Sequence, residues 1–111
     1  MTEFELFKDE FTKWQYRFGC NDWRVYFKYE ELDDKFACIT PEYENGAALV
    51  SLNSNVPEKN KPYADILLTA KHEAIHLLLA DLTGLAWSRF VSKEELIECE
   101  EKLVHKLEGL L

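Results

Sequence analysis

With 111 residues, 47% apolar and 31% charged, the chain has the size and composition of one folded domain spanning residues 1–111, enough to close a single core. Its net charge of −8 argues against nucleic-acid binding, which needs clustered Lys and Arg to neutralise phosphates. The acidic opening "MTEFELFKDEF" and the lack of any long apolar run predict neither a signal peptide nor a membrane span.

The first predicted element lies in "TEFELFKDEFTKWQYRFG", where Phe4, Phe7, Phe11, Trp14 and Phe18 repeat at the 3-4-3-4 spacing of one helical face. Thr2 and Glu5 have capping-box spacing, and Gly19 offers a stop. From Trp23 the period changes to two: Trp23, Val25, Phe27 and Tyr29 alternate with Arg24, Tyr26, Lys28 and Glu30, as in a half-buried strand. "FACIT" and "AALVSLN" are two further strand candidates, separated by a turn at Asn45-Gly46. Three consecutive strands predict an antiparallel meander.

A second helix is expected from about Pro62 to Leu82, with Gly84 near its end, and it is apolar almost all round, which places it inside the domain. Ser92 and Glu95 form a capping box that opens a third helix ending at Gly109. The predicted order is therefore an N-terminal helix, a three-stranded antiparallel sheet, a central helix and a C-terminal helix. That is an α+β domain. Cys20, Cys38 and Cys99 are odd in number and widely spaced, so they read as reduced thiols of a cytoplasmic protein.

The central helix carries "AKHEAIHLLLAD". His72 and His76 stand four residues apart, so both rings leave one face about a turn apart and two nitrogens can reach one tetrahedral Zn²⁺. Glu73 lies about 100° round from His72, beside such a metal and not pointed at it, where a carboxylate can take a proton from bound water. The bland alternative is a polar side on a core helix. It is disfavoured because Leu68, Ile75 and Leu79 flank the histidines, and burying these groups without partners costs several kcal/mol on the order expected for unpaired polar atoms.

A catalytic zinc needs a third protein ligand and an open position. Leu79 and Leu82 occupy the places where a metzincin has its Gly and third His, which excludes that pattern. On the third helix, stepping about 100° per residue from Leu96, the stripe of Leu96, Cys99, Leu103, Val104, Leu107, Leu110 and Leu111 centres near 20° and Glu100 falls at about 40°. A carboxylate in the middle of a core-facing stripe needs a positive partner. Glu100 is thus the expected third ligand, with His105 as the alternative; a shift of helical phase would instead leave Glu100 exposed like its neighbours.

"HEAIH" on one helix, followed by Glu100 within "ECEEKLVHKL" on the next, resembles the gluzincin arrangement of zinc metallopeptidases. The layout is similar to minimal gluzincin domains and to short metallopeptidases carried by bacteriophages. The resemblance implies Zn²⁺ bound by His72, His76 and Glu100, with Glu73 as base and proton shuttle, acting on a peptide or protein substrate. It also implies a strand edge that pairs with extended peptide, for which "AALVSLN" is the counterpart. The chain lacks the second subdomain of larger gluzincins and the cysteine ribbon of SprT-type relatives. No spacing identifies an oxyanion donor, although His105, Tyr63 and Trp87 are candidates. The rival expectation is a non-catalytic binding module, stabilised by zinc, that docks a protein partner.

Overall fold

The computed structural model describes residues 1–110; Leu111, with its place in the predicted stripe, and the side chains of Pro62 and Tyr63 lie outside the described residues. Three helices and a three-stranded sheet follow one another as α1 (Glu3–Arg17), β1 (Arg24–Glu30), β2 (Ala37–Glu42), β3 (Ala47–Asn53), α2 (Ile66–Trp87) and α3 (Lys93–Glu108). This is the α+β order expected from the sequence.

α1 begins where Thr2 Oγ1 accepts the Glu5 N–H at 3.1 Å, satisfying one of the helix's orphan donors. Its predicted apolar face is the face that packs: Phe7, Phe11 and Phe18 are buried, with Phe4 and Trp14 against them. Phe7 and Phe11 meet Phe27 of β1 edge-on, at 6.4 and 5.5 Å between ring centroids. This geometry suits the aromatic quadrupole. The same sheet face carries Ala48, Val50 and Leu52 of β3, all buried. α1 and α2 pack side by side over this face, giving a two-layer molecule with its core between helices and sheet.

The sheet is not the antiparallel meander that chain order suggested. Its strand order is β1-β3-β2, with β1 parallel to β3 and β2 antiparallel to β3. β3, the most apolar strand, takes the middle, where it is covered on nearly every position. β2 carries Pro41, which has no N–H to give a ladder and so belongs at an edge. The β2–β3 hairpin turns at Gly46, whose φ of 63° is a left-handed conformation that glycine adopts without strain.

The chain must then cross from β1 to β2 past the central strand, and Asn53 anchors that crossing. Its amide nitrogen donates to the carbonyls of Leu32 and Lys35, both at 2.8 Å. Its Oδ1 accepts from the N–H groups of Leu32 (3.2 Å) and Asn55 (2.8 Å).

α2 starts later and runs further than expected. Pro62 lies in a short 3-10 segment, and Asp65 caps the helix by accepting the Leu68 N–H at 3.1 Å. Gly84 does not end it. A β-carbon there would sit 2.4 Å from the Tyr43 ring, so this glycine admits a side chain from the β2–β3 turn to the surface of a continuing helix. α3 has the predicted capping box, with the Ser92 N–H donating to Glu95 Oε1 and the Glu95 N–H to Ser92 Oγ, both at 3.1 Å.

Candidate metal and catalytic site

α2 lies beside β2 and turns its histidine face past the sheet's open edge. His72 and His76 are both exposed, with ring centroids 4.9 Å apart and planes at 73°. Their i, i+4 spacing stacks them one turn apart on the helix surface. Glu73, one residue and about 100° round the helix from His72, lines the same groove and is only 6% exposed. Burial pushes its carboxyl pKa up, opposed by the charges of His76, His72 and Lys35. A carboxylate held in a poorly solvated place binds a proton more readily than one in water. Among the described residues no unpartnered side-chain oxygen or nitrogen is sealed from solvent, so the Glu73 carboxylate keeps a path outward.

Two grooves meet at the imidazole pair. One, of about 290 Å³, is lined by Phe36 and Ala37 from the sheet side and by Asp65, Leu68, His72 and Glu73 from the helix side. The other, of about 230 Å³, runs from His76 along Ile39 and Tyr43 to Trp87. The strand they share is β2, not β3: "AALVSLN" is the central strand and has no free edge.

The backbone groups that β2 offers can be read from its register. The Asn53 N–H donates to the Phe36 carbonyl at 2.9 Å, so Phe36 and every second residue after it face β3. Ala37, Ile39 and Pro41 therefore direct their backbone outward. Only Ala37 and Ile39 have an N–H to offer.

The structure stacks His72 on His76 and places Glu73 in the groove that His72 lines, without gathering Glu100 to them. Glu100 is exposed on α3, and among the described residues no three His, Cys, Asp or Glu side chains gather closely enough to hold a metal ion. α3 meets α2 elsewhere: Lys102 pairs with Asp81 at 3.6 Å, and Leu107 and Leu110 share a cleft with Lys71, Ile75 and Leu78. At about 100° per residue these α2 positions lie roughly 140–260° round from His76.

The buried face of α3 is Cys99 and Leu103, flanked by Leu96, Lys106 and Leu110, while Val104 and Leu107 are 43% and 38% exposed. The helix is therefore turned from the phase its apolar residues alone suggest. Lys106 lays its aliphatic stem beside Gly19, and Lys102 reaches Asp81. Long basic side chains can cover apolar surface while keeping their heads in water, and these two take places that a count of apolar residues assigns elsewhere.

Of the other candidates, His105 is exposed on α3 between Glu101 (3.6 Å) and Glu108 (3.7 Å). Trp87 is 84% exposed at the far end of the His76 groove. Tyr63 lies outside the described side chains. Tyr43, which the sequence did not single out, stands in the His76 groove; its place in a turn two residues after Pro41 was the only hint. Its pKa is raised, by burial first and then by Asp81, Cys99 and Glu95.

Two neutral imidazoles suit Zn²⁺ as two of its four donors. The chain matches no family model, no curated protein and no solved structure.

Proposed function

We propose that the chain is a zinc-dependent peptide hydrolase of the gluzincin kind, in which His72 and His76 hold the metal and Glu73 is the general base. The observation that carries the reading is the pairing of two exposed imidazoles with one buried carboxylate of raised pKa on an open strand edge. When bound, zinc supplies an acidified water, with a pKa near about 7, and a Lewis acid for the scissile carbonyl. Glu73, whose carboxyl pKa is raised by burial, would accept a proton from the attacking water and return it to the leaving amine. The outward N–H groups of Ala37 and Ile39 hold an extended peptide alongside the pair, as an added strand.

Glu100 is the third ligand in this reading, and its exposed position makes its role the sharpest point of the test. Titration of Zn²⁺ into the chain, followed by calorimetry, is expected to show one site per chain. His72→Ala and His76→Ala should each abolish it. Glu73→Gln should keep the zinc and lose all hydrolysis of a peptide mixture. Glu100→Gln should weaken binding by about 10-fold or more, as expected when a metal loses a ligand or its support; unchanged affinity would remove Glu100 from the site. Wild-type chain that takes up no zinc refutes the whole reading.

A second reading is favoured by the absence of a gathered third ligand among the described residues and by Phe90, 90% exposed close in sequence to Trp87: a zinc-stabilised module that docks a protein partner. It predicts a melting temperature that falls on chelation with no hydrolysis under any condition. A reducing cytoplasm suits the three free cysteines under either reading. Among the described residues no helix is long and apolar enough to cross a membrane.

A further inference from the structure

The outer face of the α2–α3 hairpin carries more apolar surface than a solvated face needs. The two helices run antiparallel: Lys102 pairs with Asp81 at 3.6 Å, and Leu107 shares a cleft with Lys71 and Ile75. Equal rise along both helices then sets Leu79 about level with Val104. Ile75 and Leu79 of α2, with Ile97, Val104 and Leu107 of α3, are each between 38% and 54% exposed. Stepping about 100° per residue, each set falls within about 80° on its own helix. Single apolar residues on a surface are ordinary, but a contiguous ridge marks an interface.

The spacing is that of helices packed along their length. Ile97, Val104 and Leu107 recur at seven and three residues, and Ile75, Leu79 and Leu82 at four and three. α3 already turns Cys99, Leu103 and Leu110 to the core, so this second stripe is surplus to folding. Charge divides the face into two ends. At one end Arg17 and Lys71 line the cleft, 4.9 and 4.6 Å from the Trp14 ring centroid, and no carboxylate among the described residues lines it. At the other end Ile97 stands among the exposed Glu94, Glu98, Glu100 and Glu101, which outweigh Lys93.

We infer that two copies of the chain pair through this face, about a two-fold axis near Leu79 and Val104, as a four-helix bundle of two hairpins. Only this reversed arrangement lays the acidic end of one copy on the basic cleft of the other, and it does so at both ends at once. Ile97 of each copy then enters the cleft of its mate. Because both copies use the same patch, assembly closes at the dimer, in a packing natural to short-looped helix pairs. An anionic membrane is the rival occupant of a basic, apolar surface. It is held by clusters of about 4–8 Lys or Arg, whereas this cleft has fewer, in a chain of net charge −8.

Sedimentation velocity from micromolar to millimolar concentration, in reductant, tests the pairing. Wild type should show a monomer–dimer equilibrium. Arg17→Glu/Lys71→Glu, and separately Glu94→Lys/Glu101→Lys, set like charges at both contacts, and each alone should associate about 100-fold more weakly. Mixed one to one, the two variants match again at both contacts. They should form a heterodimer within about tenfold of the wild-type affinity, although both remain net negative. Val104→Glu should abolish pairing and leave the helical circular dichroism unchanged.

Wild type that stays monomeric throughout overturns the inference. So does a monomer that binds phosphatidylserine vesicles, which would give the face to a membrane. A dimer that both double variants leave intact overturns it as well, as do assemblies that grow beyond two. Should the cleft variant fail to fold, Glu94→Lys/Glu101→Lys and Val104→Glu carry the same decision, since those positions are exposed.

Discussion

Replacing Asn53 by Asp changes one atom's chemistry and almost no volume, at a residue only 4% exposed. The amide nitrogen now donates to two carbonyls, Leu32 and Lys35, each at 2.8 Å. A carboxylate oxygen in its place donates nothing and repels both. Each buried polar group left without a partner costs about 1–3 kcal/mol, so Asn53→Asp should cost about 4 kcal/mol at neutral pH, with the two N–H donors to Oδ1 kept. That is a large share of the roughly 5–15 kcal/mol by which a domain of this kind is stable.

The sign with pH is fixed by the same geometry. Two carbonyls facing the new carboxyl favour its protonated form, so its folded pKa lies above its unfolded one. The variant therefore recovers stability as the pH falls through that folded value and loses it as the pH rises. Urea unfolding followed by tryptophan fluorescence at about pH 7 and about pH 3, on either side of the ordinary Asp value of about 3.9, measures both effects. Asn53→Asp within about 1 kcal/mol of wild type at neutral pH would refute the reading of Asn53 as the clasp of the β1–β2 crossing. The site would feel the loss too, because that crossing delivers Phe36 and Ala37 to the groove beside His72.

Phe11, fully buried against Phe27, should cost about 3–5 kcal/mol as Phe11→Ala in the same urea assay. Ser92→Ala removes the capping box of α3 and should cost about 1 kcal/mol, seen as faster amide exchange in that helix before any other. Glu10 has its pKa lowered, chiefly by its bond to Lys13, with burial opposing and the Trp14 N–H adding. A lowered folded pKa gives stability that is present above the unfolded carboxylate range and lost as the pH falls through the folded value. Glu10→Gln should thus cost about 0.5 kcal/mol at neutral pH and nothing once the carboxyl is protonated in acid, measured by paired unfolding curves.

Local signals in the sequence sufficed for α1 and α3, though not for the bounds of α2. Phe4, Phe7, Phe11, Trp14 and Phe18 announce α1 because burial needs one face, and Ser92 with Glu95 announces α3 because helix ends need donors satisfied. The pairing of His72 with His76 was equally legible, being fixed by helix pitch alone. Strand neighbours were not, since a period of two says which face a residue takes and nothing about which strand lies beside it. Pro41 was the available clue that "FACITPE" belongs at an edge, and with it the identity of the strand next to the histidines. The exposure of Glu100 escaped a count of apolar residues because Lys102 and Lys106, counted as polar, share in the packing of α3.

A strand edge left unpaired, as that of β2 is, exposes every molecule to its own copies, whose identical edges can zip onto it. Pro41 interrupts that ladder after two donors, Ala37 and Ile39. Two copies meeting margin to margin would find too short a run of donors to hold. The imino acid thus limits how far a copy could continue the ladder along this edge.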